Sequence, residues 1–378
     1  MKGSLVVTLD EPCTRTSTRA DWARGSMTIL AAARERARRT PLVQVHSARW
    51  PQARLIVKDE SAHGTGSLKH RLALSLVEHA VCSGHIGPGT PLIDASSGST
   101  ALSEAYLAQL LGLPFHAIVP AATSQQKLER IREFGGICHL VSGDVDITAA
   151  ARSLAAELGG WFLDQFGSAS AVTDWRSMSG IAGETFDQLR GTSWAEPDWF
   201  VMGAGTGGTT AAYGRHVRAI GAQTQVLLVD PEGSCYADAY EGVDALAGDY
   251  RPSRIEGIGR PSASPSFHPQ LIDRALRVPD AASVAACRFA WRLLGKRVGG
   301  STGTNLWGAT VLLREAAARN EAADVLTLIC DSGDRYQDQY FDDAWVREQG
   351  LDIEPFTRAL EDFWLAQTDD PSHDEELS

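Results

Sequence analysis

The sequence predicts an α/β protein of two three-layer α/β/α lobes, each a mainly parallel sheet covered by helices. Two sets of elements carry that prediction. Short apolar runs, PLIDA from Pro91, FHAIVP from Phe115, ICHLVSG from Ile137 and WFLD from Trp161, alternate with helical stretches that begin near Thr100, Ser124 and Asp146. Strands and helices alternating in this way build right-handed βαβ units. The pattern then recurs with WFVMGAG from Trp199, a helix from Gly208, QVLLVD from Gln225 and DVLTLICDSG from Asp324. Open parallel sheets take ligands at the carboxyl ends of their strands, where this chain has its glycine- and serine-rich loops.

The remaining elements follow in order. Residues 1–20 have little periodicity and read as an arm. From Asp21 to Arg39 apolar residues recur at helical spacing, with arginines at the end, where a helix carboxyl terminus favours cations. TPLVQV from Thr40 and RLIVKDE from Arg54 read as strands, and an apolar helix follows from Lys69 to Cys82, closed by Gly84. The stretch Tyr250 to Gln270 is long, irregular and rich in Pro, Ser and Gly, the mark of a functional loop. From Gln367 the polar, acidic QTDDPSHDEELS reads as a disordered tail. The expected organisation is an arm (1–20), a first lobe (21–169, of which 21–54 could pack on the other lobe), a second lobe (170–366) and the tail (367–378).

With 378 residues and 43% hydrophobic content, the chain is long enough to bury two lobes of ordinary size. The formal net charge of -12 argues against a nucleic-acid partner, which would require a basic footprint. Cysteines at 13, 82, 138, 235, 287 and 330 form no CxxC pair and have no metal-ligand spacing with the histidines, which suits reduced thiols and no metal. No apolar run approaches the roughly 20 residues that span a bilayer, and no signal-peptide pattern is evident, so the expectation is a cytoplasmic enzyme with no membrane partner.

Four loops carry chemistry. In GTGSLKHR, Gly64 to Arg71, Lys69 opens a helix, where burial and the positive helix terminus disfavour an ammonium and favour a neutral, nucleophilic amine. The aldehyde of pyridoxal 5'-phosphate (PLP) is a fitting partner for such an amine. DASSGST, Asp94 to Thr100, turns from strand to helix with more hydroxyls than the single one a helix cap requires, and it suits an α-carboxylate. GAGTGGTT, Gly203 to Thr210, supplies threonine hydroxyls suited to a phosphate monoester. It also satisfies GxGxxG through Gly203, Gly205 and Gly208, with Asp230 ending the next strand, so a dinucleotide site is the rival reading. DSGDRY, Asp331 to Tyr336, places Ser332 at a strand end, where a hydroxyl can meet a neutral pyridine nitrogen.

The motifs GSLKHR, SSGST, DQF from Asp164, GTGGT, GIG from Gly257 and SGDRY, in that order from roughly Thr40 to Tyr340, resemble the fold-type II PLP enzymes of the cysteine synthase family. Within it, KDESAHGTGSLKHR, ASSGSTALSEAYLAQLLGLPF and TDWR from Thr173 are most similar to the bacterial cysteine desulfhydrases. The resemblance implies that Lys69 carries PLP covalently and that Gly205, Thr206, Gly207, Gly208 and Thr209 hold its phosphate. It assigns Ser332 to the pyridine nitrogen, and Ser96, Ser97, Gly98, Thr100, Gln165 and Gly257 to the substrate. Ser99 stands where cysteine synthases carry an Asn that contacts the cofactor's 3'-oxygen. The implied reaction is β-elimination on a small amino acid, L-cysteine giving pyruvate, ammonia and sulfide, with β-replacement as the alternative and a homodimer as the assembly. Remoter readings are an NAD-dependent oxidoreductase and a non-catalytic PLP-binding regulator.

Overall fold

The computed structural model describes residues 14–143, 145–243 and 250–365. Its strands are β1 (Leu42–His46), β2 (Ala53–Asp59), β3 (Leu92–Ala95), β4 (Phe115–Pro120), β5 (Ile137–Val141), β6 (Trp161–Phe162), β7 (Trp199–Gly203), β8 (Gln225–Pro231), β9 (Arg274–Val278) and β10 (Ala323–Ile329). A smaller sheet has the order β5-β4-β3-β6 and is wholly parallel. The larger has the order β1-β2-β10-β7-β8-β9, parallel except that β1 runs against β2.

Burial on both faces explains why the strands read as continuous apolar runs rather than alternating ones. Every residue of β10 is buried. Val201, Leu227 and Val325 face the helices Asp280–Leu294 and Gly300–Ala318. Their neighbours Phe200, Leu228 and Leu326 face the helices Ile181–Leu189 and Gly208–Ile220, as the two-residue period of a strand requires. The smaller sheet repeats the layering, with Leu92 and Ala117 against the helices Lys69–Cys82 and Ser99–Leu111, and Ile93 and Ile118 against Ile147–Leu158.

Two expectations change. β1, within the stretch 21–54 that could pack on the other lobe, and β2, most of it read from the sequence as first lobe, both belong to the larger sheet, where Ala53–Asp59 pairs in parallel with Ala323–Ile329. The crossing segment therefore extends past residue 54 to Asp59. A pairing between opposite ends of the chain leaves no local periodicity to read. The first helix spans Thr14–Ala37, so residues from Thr14 onward are helix rather than arm, and its Leu30 and Ala33 pack in the core of the smaller sheet. Residues 1–13 and the tail 367–378 lie outside the described residues. The stretch after Tyr250 is irregular as expected, broken only by a 3-10 turn at Pro269–Leu271. No helix among the described residues is long and apolar enough to cross a membrane.

Candidate active site

The carboxyl ends of β3, β7 and β10 open into one cavity of about 590 Å³ between the two sheets. Lys69 is the first residue of the helix Lys69–Cys82, and the turn before it is pinned to the end of β10. The Leu68 amide donates to the Cys330 carbonyl (2.8 Å) and the Ser332 amide to that of Gly66 (3.2 Å). So the lysine loop rides on the larger sheet, while the helix it opens packs against the smaller. A Cβ built on Gly205 would stand 3.7 Å from the Lys69 Nζ. Burial holds the Lys69 amine below the ordinary lysine range; Cys330 and Asp331 oppose that shift and Arg260 adds to it. Lys58, Lys127 and Lys296 are each ion-paired, to Glu184, Glu256 and Asp59. Among the described residues, Lys69 is the lysine left without a carboxylate, which suits a neutral amine.

The loop after β7 forms a cradle opposite the lysine. Gly207 has φ 86°, and a Cβ there would lie 2.7 Å from the Phe267 Cα; at Gly205 it would lie 2.2 Å from the Gly257 carbonyl oxygen. Only glycine permits those approaches. Thr206 Oγ1 accepts the Gly208 amide (3.3 Å) and Thr210 donates to the Gly207 carbonyl (2.9 Å), whereas Thr209 lines the cavity. Gly205, Thr206 and Gly207 line the cavity with it. Gly208 is not among the lining residues: it starts the helix and approaches Ala169, where a Cβ would come within 3.0 Å of that side chain, so helix packing requires the absence of a side chain there. Asp230, the acid that the dinucleotide reading requires, is buried away from the cavity and accepts the Ala237 amide (2.8 Å).

Ser96, Ser97, Gly98, Ser99 and Thr100 line the facing wall, from the end of β3 into the helix Ser99–Leu111. Thr100 donates to Gln165 Oε1 (2.8 Å), and Gln165 Nε2 donates to the Ala95 carbonyl (3.3 Å), so the two separate motifs form one unit. Gly257 lines the cavity too. Arg335, which the sequence reading quoted within SGDRY but gave no role, donates to Ser99 Oγ and to the Thr65 carbonyl. It thereby ties the serine loop to the lysine loop.

Ser332 is the correction that matters most. Its hydroxyl donates to Asp334 Oδ2 (2.8 Å), caps the turn Gly333–Tyr336 and lies outside the cavity. A serine that does line the cavity on the larger sheet's side is Ser301, 5% exposed, in the first turn of Gly300–Ala318. No strand precedes it, and GSTGTN reads as a loop, so nothing local marks it. Asp331 also lines the cavity; Tyr336 donates to its Oδ2 (2.6 Å), and burial pushes its carboxyl up to about 6. Phe166, quoted within DQF without a role, and Lys127, Glu256 and Arg260, which the sequence did not single out for the site, also line the wall.

These features fit PLP. The glycine cradle would be filled by any side chain, and on the lysine side of the cavity the buried Ser67 Oγ and Asp331 Oδ1 have no partner among the described residues. Comparison with known proteins agrees. Residues 33–331 match the family model described as "Pyridoxal-phosphate dependent enzyme". The chain is 51% identical to the L-cysteine desulfhydrase Cds1 of Mycobacterium tuberculosis, over 82% of this chain and 84% of the relative. It is 29% identical to an N-(2-amino-2-carboxyethyl)-L-glutamate synthase of Ralstonia nicotianae, over 81% and 88%. The crystal structure of an O-ureido-L-serine synthase superposes with TM-score 0.71 at 25% identity, covering 83% of this chain and 98% of that one. The chain thus belongs to the family of pyridoxal-phosphate dependent enzymes, with PLP as its cofactor.

Proposed function

We propose that this enzyme eliminates the β-substituent of L-cysteine, yielding pyruvate, ammonia and sulfide. The observation that carries the reading is the unpaired Lys69, with its lowered basicity, between a phosphate cradle on one wall and a carboxylate loop on the other. PLP, when bound, supplies an electron sink for the pair left on Cα. Thr206, Thr209 and the amides at the start of Gly208–Ile220 hold its phosphate. Ser301 takes the place first assigned to Ser332, and a hydroxyl there leaves the ring nitrogen unprotonated, which favours prompt loss of a β-leaving group. Ser97, Thr100 and Gln165 orient the substrate carboxylate. Lys69 Nζ, freed by the incoming amine, takes the α-proton; a neutral amine at working pH is competent for that task.

β-Replacement is the second reading, and the named activities of two relatives, both synthases, favour keeping it. Both outcomes share the first half-reaction and separate on what reaches the unsaturated intermediate. We take the enzyme to be cytoplasmic, in keeping with free thiols at Cys82, Cys138, Cys235, Cys287 and Cys330. We also take it to be a homodimer, for which the apolar side chains exposed on and after β5, Ile137, Leu140 and Val145, offer a surface. The test supplies L-cysteine alone, and separately O-acetylserine plus sulfide, and quantifies pyruvate and cysteine in each. Pyruvate from cysteine alone is expected. Cysteine accumulating in the second assay with no pyruvate in the first would make the enzyme a synthase. Borohydride reduction followed by peptide mapping should place the pyridoxyl group on Lys69.

A further inference from the structure

The cavity contains a cation, Arg260, that no carboxylate among the described residues pairs with. Arg260 ends the GIGR segment on the cavity wall, and its backbone is fixed by the Ser234 hydroxyl (3.1 Å) and the Cys235 amide (2.8 Å). Its guanidinium lies over the ring of Phe166, 3.9 Å from the centroid, and Phe166 directly follows the carboxylate-side Gln165. Stacking fixes the plane of an arginine and leaves its N–H edge free to donate. Its Nε is buried without a partner, and among the described residues the side chain joins no ion pair. The other charged groups at the mouth, Lys127 and Glu256, satisfy each other at 2.7 Å. Arg260 is also close enough to Lys69 for its charge to disfavour the ammonium form. A spare positive charge beside the base disfavours a second cation and calls for an anion.

We propose that Arg260 receives the anionic group that leaves the substrate's β-carbon, and so selects amino acids whose β-substituent departs as an anion of a weak acid, hydrosulfide above all. This rests on the elimination reading. In that step the α-proton passes to Lys69 Nζ, the Cβ–S bond breaks with its electron pair on sulfur, and a Cα–Cβ double bond forms. Charge develops on sulfur during bond cleavage, so a preorganised guanidinium stabilises the transition state more than the ground state.

The test compares wild type with Arg260→Gln and Arg260→Lys on L-cysteine and on β-chloro-L-alanine, whose chloride leaves as the anion of a strong acid. Arg260→Gln should lower kcat/KM for cysteine on the order of 100-fold, the usual loss when one donor to a developing anion is removed. The loss on β-chloro-L-alanine should be smaller by roughly tenfold or more, and Arg260→Lys should fall between on cysteine, because the charge remains but the stacked fork does not. Binding gives a readout apart from turnover: calorimetry should show wild type preferring L-cysteate, with its anionic side chain, over L-serine, and Arg260→Gln losing that preference. Equal losses on both substrates, an unchanged preference for L-cysteate, or release of PLP by Arg260→Gln would each overturn the assignment. If wild type failed to turn over β-chloro-L-alanine at all, the elimination reading itself would fall.

Discussion

Two threonines on opposite walls make the assignment of the anion sites testable one residue at a time. Thr209 lines the cavity from the glycine cradle, whereas Thr100 is locked to Gln165 at 2.8 Å beside the serine loop. Thr209→Ala should therefore weaken PLP retention, measured by dialysis and cofactor absorbance, and Thr100→Ala should raise KM for cysteine while leaving PLP in place. Loss of a single hydrogen bond to a charged group costs about 1.5–3 kcal/mol, or roughly tenfold to a hundredfold in either constant. The reverse pattern, with cofactor lost from the Thr100 variant, would exchange the two sites. Both loops and Gln165 were legible because each follows a strand with distinctive residue types, and the lysine because it opens an apolar helix after a glycine- and serine-rich turn. Ser301, Arg260 and Arg335 were not, since one lies in a stretch without a preceding strand and an arginine read alone resembles any solvated cation.

At the scale of elements, a buried acid pair joins the strand and helix that flank the serine loop. Asp94 is the penultimate residue of β3, two before Ser96, and Glu104 lies on Ser99–Leu111; they are 1% and 0% exposed. Asp94 accepts the Ala95 amide (2.9 Å), but its other oxygen and both oxygens of Glu104 lack a donor. Two buried carboxyls in contact can bond only if they share a proton. Burial pushes Asp94 up to about 6, against the hydrogen bond from Glu104 that favours its ionised form, and burial together with the neighbouring Asp94 holds Glu104 well above the usual carboxylate range. A folded-state pKa raised above its unfolded value gives stability that is full below the unfolded pKa, near 4, and is lost as pH rises through 6 and beyond. Raising one carboxyl from 3.8 to about 6 corresponds to about 3 kcal/mol. Glu104→Gln supplies a permanent donor to Asp94, so it should flatten the pH dependence and stabilise the fold by roughly 1–3 kcal/mol at pH 8.5 relative to pH 5.5. Urea unfolding at the two pH values checks this, and parallel shifts of wild type and variant would refute the shared proton. Strands such as β4 and β10 and the helix from Lys69 were readable because apolar runs and helical spacing are local. The helix Gly300–Ala318 was not: it opens with residues of low helix propensity and is buried nearly all round, so it lacks an amphipathic stripe.

For the whole molecule, the question is what closes the cavity once an amino acid is bound. The smaller sheet carries the serine loop, and the larger carries the cradle, Ser301 and the anchored lysine turn, so a bound substrate links the two and draws them together. One ion pair already spans the mouth: Lys127, on the helix Gln125–Glu133, reaches Glu256, in the irregular stretch after Tyr250, at 2.7 Å. Both side chains remain about a third exposed, at 33% and 30%, so the pair contributes only about 0–1 kcal/mol and is screened by salt. That small term can still influence outcome, because release by water and capture by a second substrate compete on barriers in which about 1.4 kcal/mol is tenfold. Glu256→Gln should leave the mouth open longer, admit water and raise the pyruvate-to-cysteine ratio, with O-acetylserine and sulfide supplied together, by up to about fivefold. High salt should move wild type toward the variant's ratio and leave the variant unchanged. The reversed pair, Lys127→Glu with Glu256→Lys, should restore the wild-type ratio, since attraction across the mouth does not depend on which side holds the cation. A ratio that stays constant through all of these would mean that contacts to the substrate alone, and not the rim, hold the two sheets together.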